Sequence, residues 1–179
     1  MLIHSAHHLT YLGRNLEINL PSEIPNESAI LVLTKSMEIP FSLKEKTRIT
    51  SDEIAKSMGI RKFLKFSEKT SVKVGSFDIK MAEMAEDRSK FNFFINEQIY
   101  FMTFLPEIHL PFAENMTLLI PAGPDYFSDS DLPEIKNFIV KKCPKRTIMS
   151  GNFSEKWLSA LKSIKNIEIR NEISQQSIF

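Results

Sequence analysis

Short alternating stretches of apolar and polar residues dominate the first two thirds of the chain, and helical spacing takes over towards the end. Leu16, Ile18 and Leu20 alternate with Glu17 and Asn19, so residues 2 to 20 read as two or three half-buried strands. Pro21-Ser22 and Pro25-Asn26 mark a loop. The run Ala29 to Thr34 is too short for a helix and rich in branched residues, as an interior strand is. Arg48 to Thr50 predicts another strand, and Ser51 predicts the cap of a helix through Ser57. Asp52 and Glu53 suit the positive end of its dipole, and Gly59 stops it. Strands follow at Lys62–Phe66, Thr70–Val74 and Phe77–Met84, with a tight turn at Gly75. Phe91–Ile95 and Ile99–Phe104 predict a hairpin around Asn96-Glu97-Gln98, and Thr117–Ile120 a further strand. A helix begins near Asp131, with Pro133 in its first turn and Ile135, Phe138 and Ile139 on one face. Arg146–Met149 is a strand, Ser154 caps a last helix with a Trp157, Leu158, Leu161, Ile164 stripe, and Ile167–Ile169 closes the series. Hairpins first and alternating helix and strand later predict two sheets with helices on their outer faces, an αββα sandwich of the mixed α/β (α+β) class.

The totals narrow the classes of function. A chain of 179 residues predicts one domain, over residues 1 to 170, with a polar tail at 171 to 179. A net charge of +1 gives no global field for nucleic acid or an anionic membrane. Cys143 is the only cysteine, which excludes an internal disulfide and suits the reducing cytoplasm. No window reaches the roughly 18 to 20 apolar residues of a membrane span, and the N-terminus has no basic region of a signal peptide. The chain contains no G-x-G-x-x-G, G-K-[ST], C-x-x-C or H-E-x-x-H motif.

Six segments, in order, carry a resemblance to a known family. They are ILVLT, TRITSDEIAKSMGI, SEKTSVKVGSFDIKM, FNFFINEQIYFMTF, LLIPAGPDYFSDSDLPEI and RTIMSGNF, spread over roughly residues 5 to 170. Together they resemble the metallo-β-lactamase superfamily, most closely its lactonase-like small hydrolases. ILVLT is similar to the strand before the family's metal loop, T-H-x-H-x-D-H. FNFFINEQIYFMTF is similar to the hairpin that ends in the family's G-D-T, and RTIMSGNF to the late strand before its final His.

The resemblance implies a metal site at positions that here lack ligands. Aligned on Thr34, the loop ligands become Lys35, Met37, Ile39 and Pro40. The bridging Asp becomes Phe104, with Thr103 before it, and the final His falls at Ser150 or Gly151. The third-His region, Met84 to Lys90, holds no His. Zinc takes imidazole, thiolate or carboxylate donors, which Lys, Met, Ile, Pro and Phe do not supply. Without the metal there is no activated water and no Lewis acid. The resemblance therefore implies a pseudoenzyme with no cofactor.

Other chemistry-bearing residues read as ordinary structure. His4, His7 and His8 are the one histidine cluster and, with Asp125 and Asp129, the candidates for a relocated metal; surface histidines near a chain end are the plain alternative. His109 reads as a loop histidine. Asp125, Asp129, Asp131 and Glu134 could suit magnesium but fall where a helix start favours acids. Lys136, Lys141, Lys142, Lys145 and Arg146 could suit phosphate, but cations are ordinary at a helix C-terminus. Cys143 has no activating His and reads as packing; Trp157 reads as core. Ser36 and Ser150 join no Ser-His-Asp set.

The function expected is thus a metal-free binding or assembly module, with a protein partner or a second copy of the chain. A divergent hydrolase of lactones, phosphodiesters or similar esters with a relocated metal is the first alternative. An accessory subunit of a nucleic-acid-processing complex is the second, by fold analogy alone. Met37, Ile39, Pro40, Phe41, Phe104 and Leu105 make the former site apolar. They are expected either to plug the end of the sandwich or to present a partner surface there.

Overall fold

The computed structural model of the chain describes residues 1–3, 6, 8–12, 14–19, 30–37, 47–68, 70–107, 115–121, 126–151 and 153–170. Two sheets run face to face. The first holds β1 (Leu2–Ile3), β2 (His8–Tyr11), β3 (Arg14–Ile18), β4 (Ile30–Val32), β5 (Arg48–Thr50) and β6 (Leu64–Lys65), in chain order. The second holds β7 (Ser71–Val74), β8 (Phe77–Met84), β9 (Phe91–Ile95), β10 (Ile99–Phe101), β11 (Thr117–Pro121), β12 (Arg146–Ser150) and β13 (Ile167–Arg170), again in chain order. Each sheet opens with antiparallel hairpins and becomes parallel, from β3 to β6 and from β10 to β13. This is the mixed α/β architecture expected from the order of elements, with α1 (Asp52–Ser57), α2 (Leu132–Lys142) and α3 (Glu155–Leu161) as its helices.

Alternation builds the core. Along β8 the buried residues Phe77, Ile79 and Met81 face the first sheet, where Leu16, Ile18, Ile30, Val32 and Ile49 meet them. Phe66, Phe91, Phe93 and Phe101 extend this layer with ring centroids 5.1 to 6.3 Å apart. Each such ring contributes roughly 1.5–3 kcal/mol by transfer from water. The opposite face of the second sheet offers Tyr100, Leu118, Ile120 and Met149 to α2 and α3, whose Ile135, Ile139, Trp157 and Leu161 cover them. The first sheet carries the six-residue α1, which sends Ile54 into the layer between the sheets.

Several boundaries differ from the sequence expectation, each for a local reason. β10 ends at Phe101, not Phe104, because Thr103 and Phe104 turn their backbone N–H groups to the Asn92 side chain. The Lys62–Phe66 strand shrinks to Leu64–Lys65. Ser51 caps α1 through its Oγ, which accepts from Ile54 N at 3.3 Å. Ser154 is the N-cap residue of α3 as expected, but its hydroxyl makes no capping bond and donates to Asp129 Oδ1 instead, at 3.0 Å. The α3 helix stops at Leu161, and Ile164 packs on the helix-side core from the turn beyond. Expectations for the Pro21–Pro25 loop and the tail at 171 to 179 lie outside the described residues. Among the described residues no helix is long and apolar enough to cross a membrane.

Candidate functional site

The carboxyl ends of the parallel strands share one end of the sandwich, where open α/β sheets place their ligands. The expected former site falls on this end. Just past β4, Leu33 O accepts from Thr50 Oγ1 at 2.8 Å, which ties the chain to the end of β5. Phe91 N donates to Thr34 O at 3.3 Å, and Lys35 pairs with Lys90 in an isolated antiparallel bridge. The segment after Thr34 and the Met84–Lys90 turn are therefore neighbours. Thr103 Oγ1 donates to Phe91 O at 3.1 Å, so the segment after β10 is anchored on the same residue. Phe91, first residue of β9, holds both stretches.

Among the described residues, three of the positions that the resemblance aligns with ligands, Lys35, Phe104 and Ser150, make other contacts. Lys35 is half-buried, with its Nζ 4.4 Å from the centre of the Tyr126 ring, a cation–π arrangement. The Tyr126 hydroxyl accepts from Asn19 Nδ2 at 3.0 Å. That amide also donates to Thr34 Oγ1, and its Oδ1 accepts from Thr34 N at 2.7 Å. Asn19 takes this position with φ of 46°, a left-handed conformation that asparagine tolerates better than most residues. One lysine, one tyrosine and one buried asparagine thus span the gap from the first sheet to the chain before α2.

At the G-D-T position the backbone of Phe104 is held by Asn92. Asn92 is fully buried; its Oδ1 accepts from Thr103 N at 2.7 Å and Phe104 N at 3.3 Å, and its Nδ2 donates to Phe104 O at 3.1 Å. Tyr100 lies beside this amide. Burial foremost, and then the charge of Glu83, push its phenol far above the ordinary value, against the opposing hydrogen bond with Asn92. Phe104 itself is half-buried. At the final-His position Ser150 Oγ is buried and accepts from Ala6 N at 2.8 Å. Gly151 follows with φ of 134°, a conformation that a β-carbon strains, and its N–H reaches Arg170 O at 3.2 Å.

The donor set does not fit zinc. Lys35 and Ser150 offer a cation and an occupied hydroxyl, Phe104 and Gly151 offer no side-chain donor, and among the described residues no group of three His, Cys, Asp or Glu gathers as for a metal ion. Met37 is half-buried and Ser36 exposed beside it. Leu105 packs on the helix-side core rather than between the sheets. Ile39, Pro40 and Phe41, like His4, His7, His109 and Asp125, lie outside the described residues; His8 sits on β2.

The remaining acidic candidates separate. Asp129 Oδ1 accepts from Trp157 Nε1 at 2.8 Å, joining the approach to α2 to α3. Asp131 Oδ2 accepts from Ser128 N at 2.6 Å and Ser128 Oγ at 2.8 Å, and Glu134 is exposed. The basic run breaks up as well, since Arg146 pairs with Glu168 across to β13. Cys143 corrects the expectation of packing: it is exposed, at the left-handed end of α2 with φ of 45°.

Sequence reasoning missed Asn19, Asn92 and Tyr126. Asn19 sits 107 positions from Tyr126, and no local spacing announces such a pair. A buried alternating strand carrying an asparagine, as at Phe91–Ile95, was the one legible signal, because a buried amide requires partners.

Comparison with known proteins places the architecture. No family model matches the sequence, and no curated protein matches it. The fold is similar to the crystal structure of the metallo-β-lactamase fold protein YhfI from Bacillus subtilis, with a TM-score of 0.65 over 92% of this chain and 86% of that one. The two sequences are 10% identical, so the likeness is one of fold. The class of fold is metallo-β-lactamase-like.

Proposed function

We propose that this chain is a metal-free metallo-β-lactamase-like protein, descended from the lactonase-like branch, that acts as a binding or assembly module. One observation supports the reading: at the end where the fold's metals would sit, Lys35, Phe104 and Ser150 make contacts of another kind. Lys35 lies over Tyr126, the Phe104 backbone is held by Asn92, and Ser150 receives Ala6 N–H. Ligand loss alone would leave a vacant polar edge. Here three of those positions carry a cation–π contact or hydrogen bonds within the protein instead. What remains for an outside molecule is surface, with the half-buried Met37 and Phe104 as its apolar members.

The contact proposed is with a protein, either a second copy of this chain or another partner. A Phe104→Asp variant tests it by light scattering and thermal melting together. An interface role gives a folded protein of lower mass than the parent. A plug role gives a Tm lower by several degrees, because burying a carboxylate without a partner costs more than losing a ring. An unchanged mass with an unchanged Tm contradicts both, and with them the reading.

A further inference from the structure

A cleft of about 500 Å³ opens beside this edge, and four of its lining residues, Met84, Ala85, Glu86 and Arg88, belong to the Met84–Lys90 turn. It lies between the first turn of α1, β6 with the turn that follows, and the end of β8. Its volume is in the range of small-molecule sites. Its floor is apolar: Phe66 and Met81 are buried members of the core between the sheets, and Met84 packs against them. Methionine side chains adapt to the shape of what they touch.

The rim is charged and unbalanced. Lys65 Nζ is paired with Asp52, and Arg88 Nη1 with Glu53 Oε1 at 2.7 Å. These pairs clasp α1 to β6 on one side and to the turn after β8 on the other. Both rim cations are thus matched by a carboxylate. Glu68 and Glu86 also line the cleft, and neither has a cationic partner among the described residues. Four carboxylates against two cations leave the rim two negative charges over an apolar floor. An anion is disfavoured there. A bare divalent ion is disfavoured too, since among the described residues no three acidic groups converge.

We propose that this cleft binds a small organic cation with an aliphatic body, of the diamine or polyamine class, its methylenes on Phe66, Met81 and Met84 and its ammonium groups towards Glu68 and Glu86. This assignment is independent of the metal-free reading of the neighbouring edge. Isothermal titration calorimetry of the full chain with putrescine and with spermidine tests it, alongside citrate as an anionic control. Saturable binding of the amines is expected, stronger at low salt because exposed charges are screened. The Glu68→Gln/Glu86→Gln double variant removes both unmatched charges without touching either ion pair, and is expected to weaken binding about fivefold or more. Both carboxylates are exposed, so the variant is expected to keep the parent Tm. Met84→Gln is expected to weaken binding separately, at unchanged salt dependence. Equal amine affinity in the double variant would place binding elsewhere and overturn the proposal. So would the absence of saturable amine binding, or tighter binding of citrate.

Discussion

At the scale of single residues, buried amides do the organising at the candidate edge. Asn92 accepts from two successive backbone N–H groups and donates to Phe104 O, which steers the chain out of β10 and away from the ladder. Removing that side chain leaves Thr103 N–H without its partner inside the protein. Asn92→Ala is therefore expected to destabilise by about 2–4 kcal/mol, since a buried unsatisfied group forfeits its full desolvation cost. Urea unfolding measures it, and a change under about 0.5 kcal/mol would show that water or the backbone takes over the role. The sequence singles out Lys35 and Phe104 only through the family resemblance, which sets them opposite a ligand motif. Asn19, Asn92 and Tyr126 were not, because their importance comes from partners brought close only by the fold.

At the scale of elements, strand patterns were legible where one face is buried and the other is not. The alternation along Phe77–Met84 maps directly onto β8. Ends were less legible, because hydrogen bonds from distant residues decide them. The start of α3 shows this: Asp129 takes the hydroxyl of Ser154, the residue expected to cap the helix. The end of α2 offers a direct test. Cys143 holds φ of 45° there, while its N–H donates to Ile139 O at 2.9 Å. Glycine meets no β-carbon penalty in that conformation. Cys143→Gly is expected to stabilise by about 1 kcal/mol and raise Tm by a few degrees, and a lower Tm would contradict the cap assignment.

The β12–β13 pair carries a pH dependence. Glu168 is held below the ordinary carboxylate value, foremost by its hydrogen bond from Arg146 and then by Arg170, with burial opposing. A lowered folded-state value means that the unfolded chain binds the proton more readily. The stabilisation is thus present above the ordinary value of 4.5 and is lost as pH falls through the lowered one. The Glu168 side chain is 39% exposed, so solvent screening keeps the effect to well under about 1 kcal/mol. Glu168→Gln is expected to flatten Tm against pH below the ordinary carboxylate range. An unchanged slope there would assign the acid sensitivity to other carboxylates.

At the scale of the molecule, the order of elements was enough to give two sheets with late helices, because hairpins and parallel crossovers leave different spacings in a sequence. How the sheets close on each other was not legible. Arg170 Nη1 donates to Ile3 O at 2.7 Å and Ser150 Oγ receives Ala6 N–H, so the first strand of one sheet is tied to the last strands of the other. Those contacts span 167 and 144 positions. These two hydrogen bonds tie the two sheets together at this end of the sandwich. The most direct measurement is the metal content of protein purified without chelators, by plasma mass spectrometry. Zinc, iron and manganese are each expected far below one atom per chain, with a Tm unmoved by a chelator. One or two atoms per chain, with a Tm that falls on chelation and recovers with zinc, would contradict the metal-free reading.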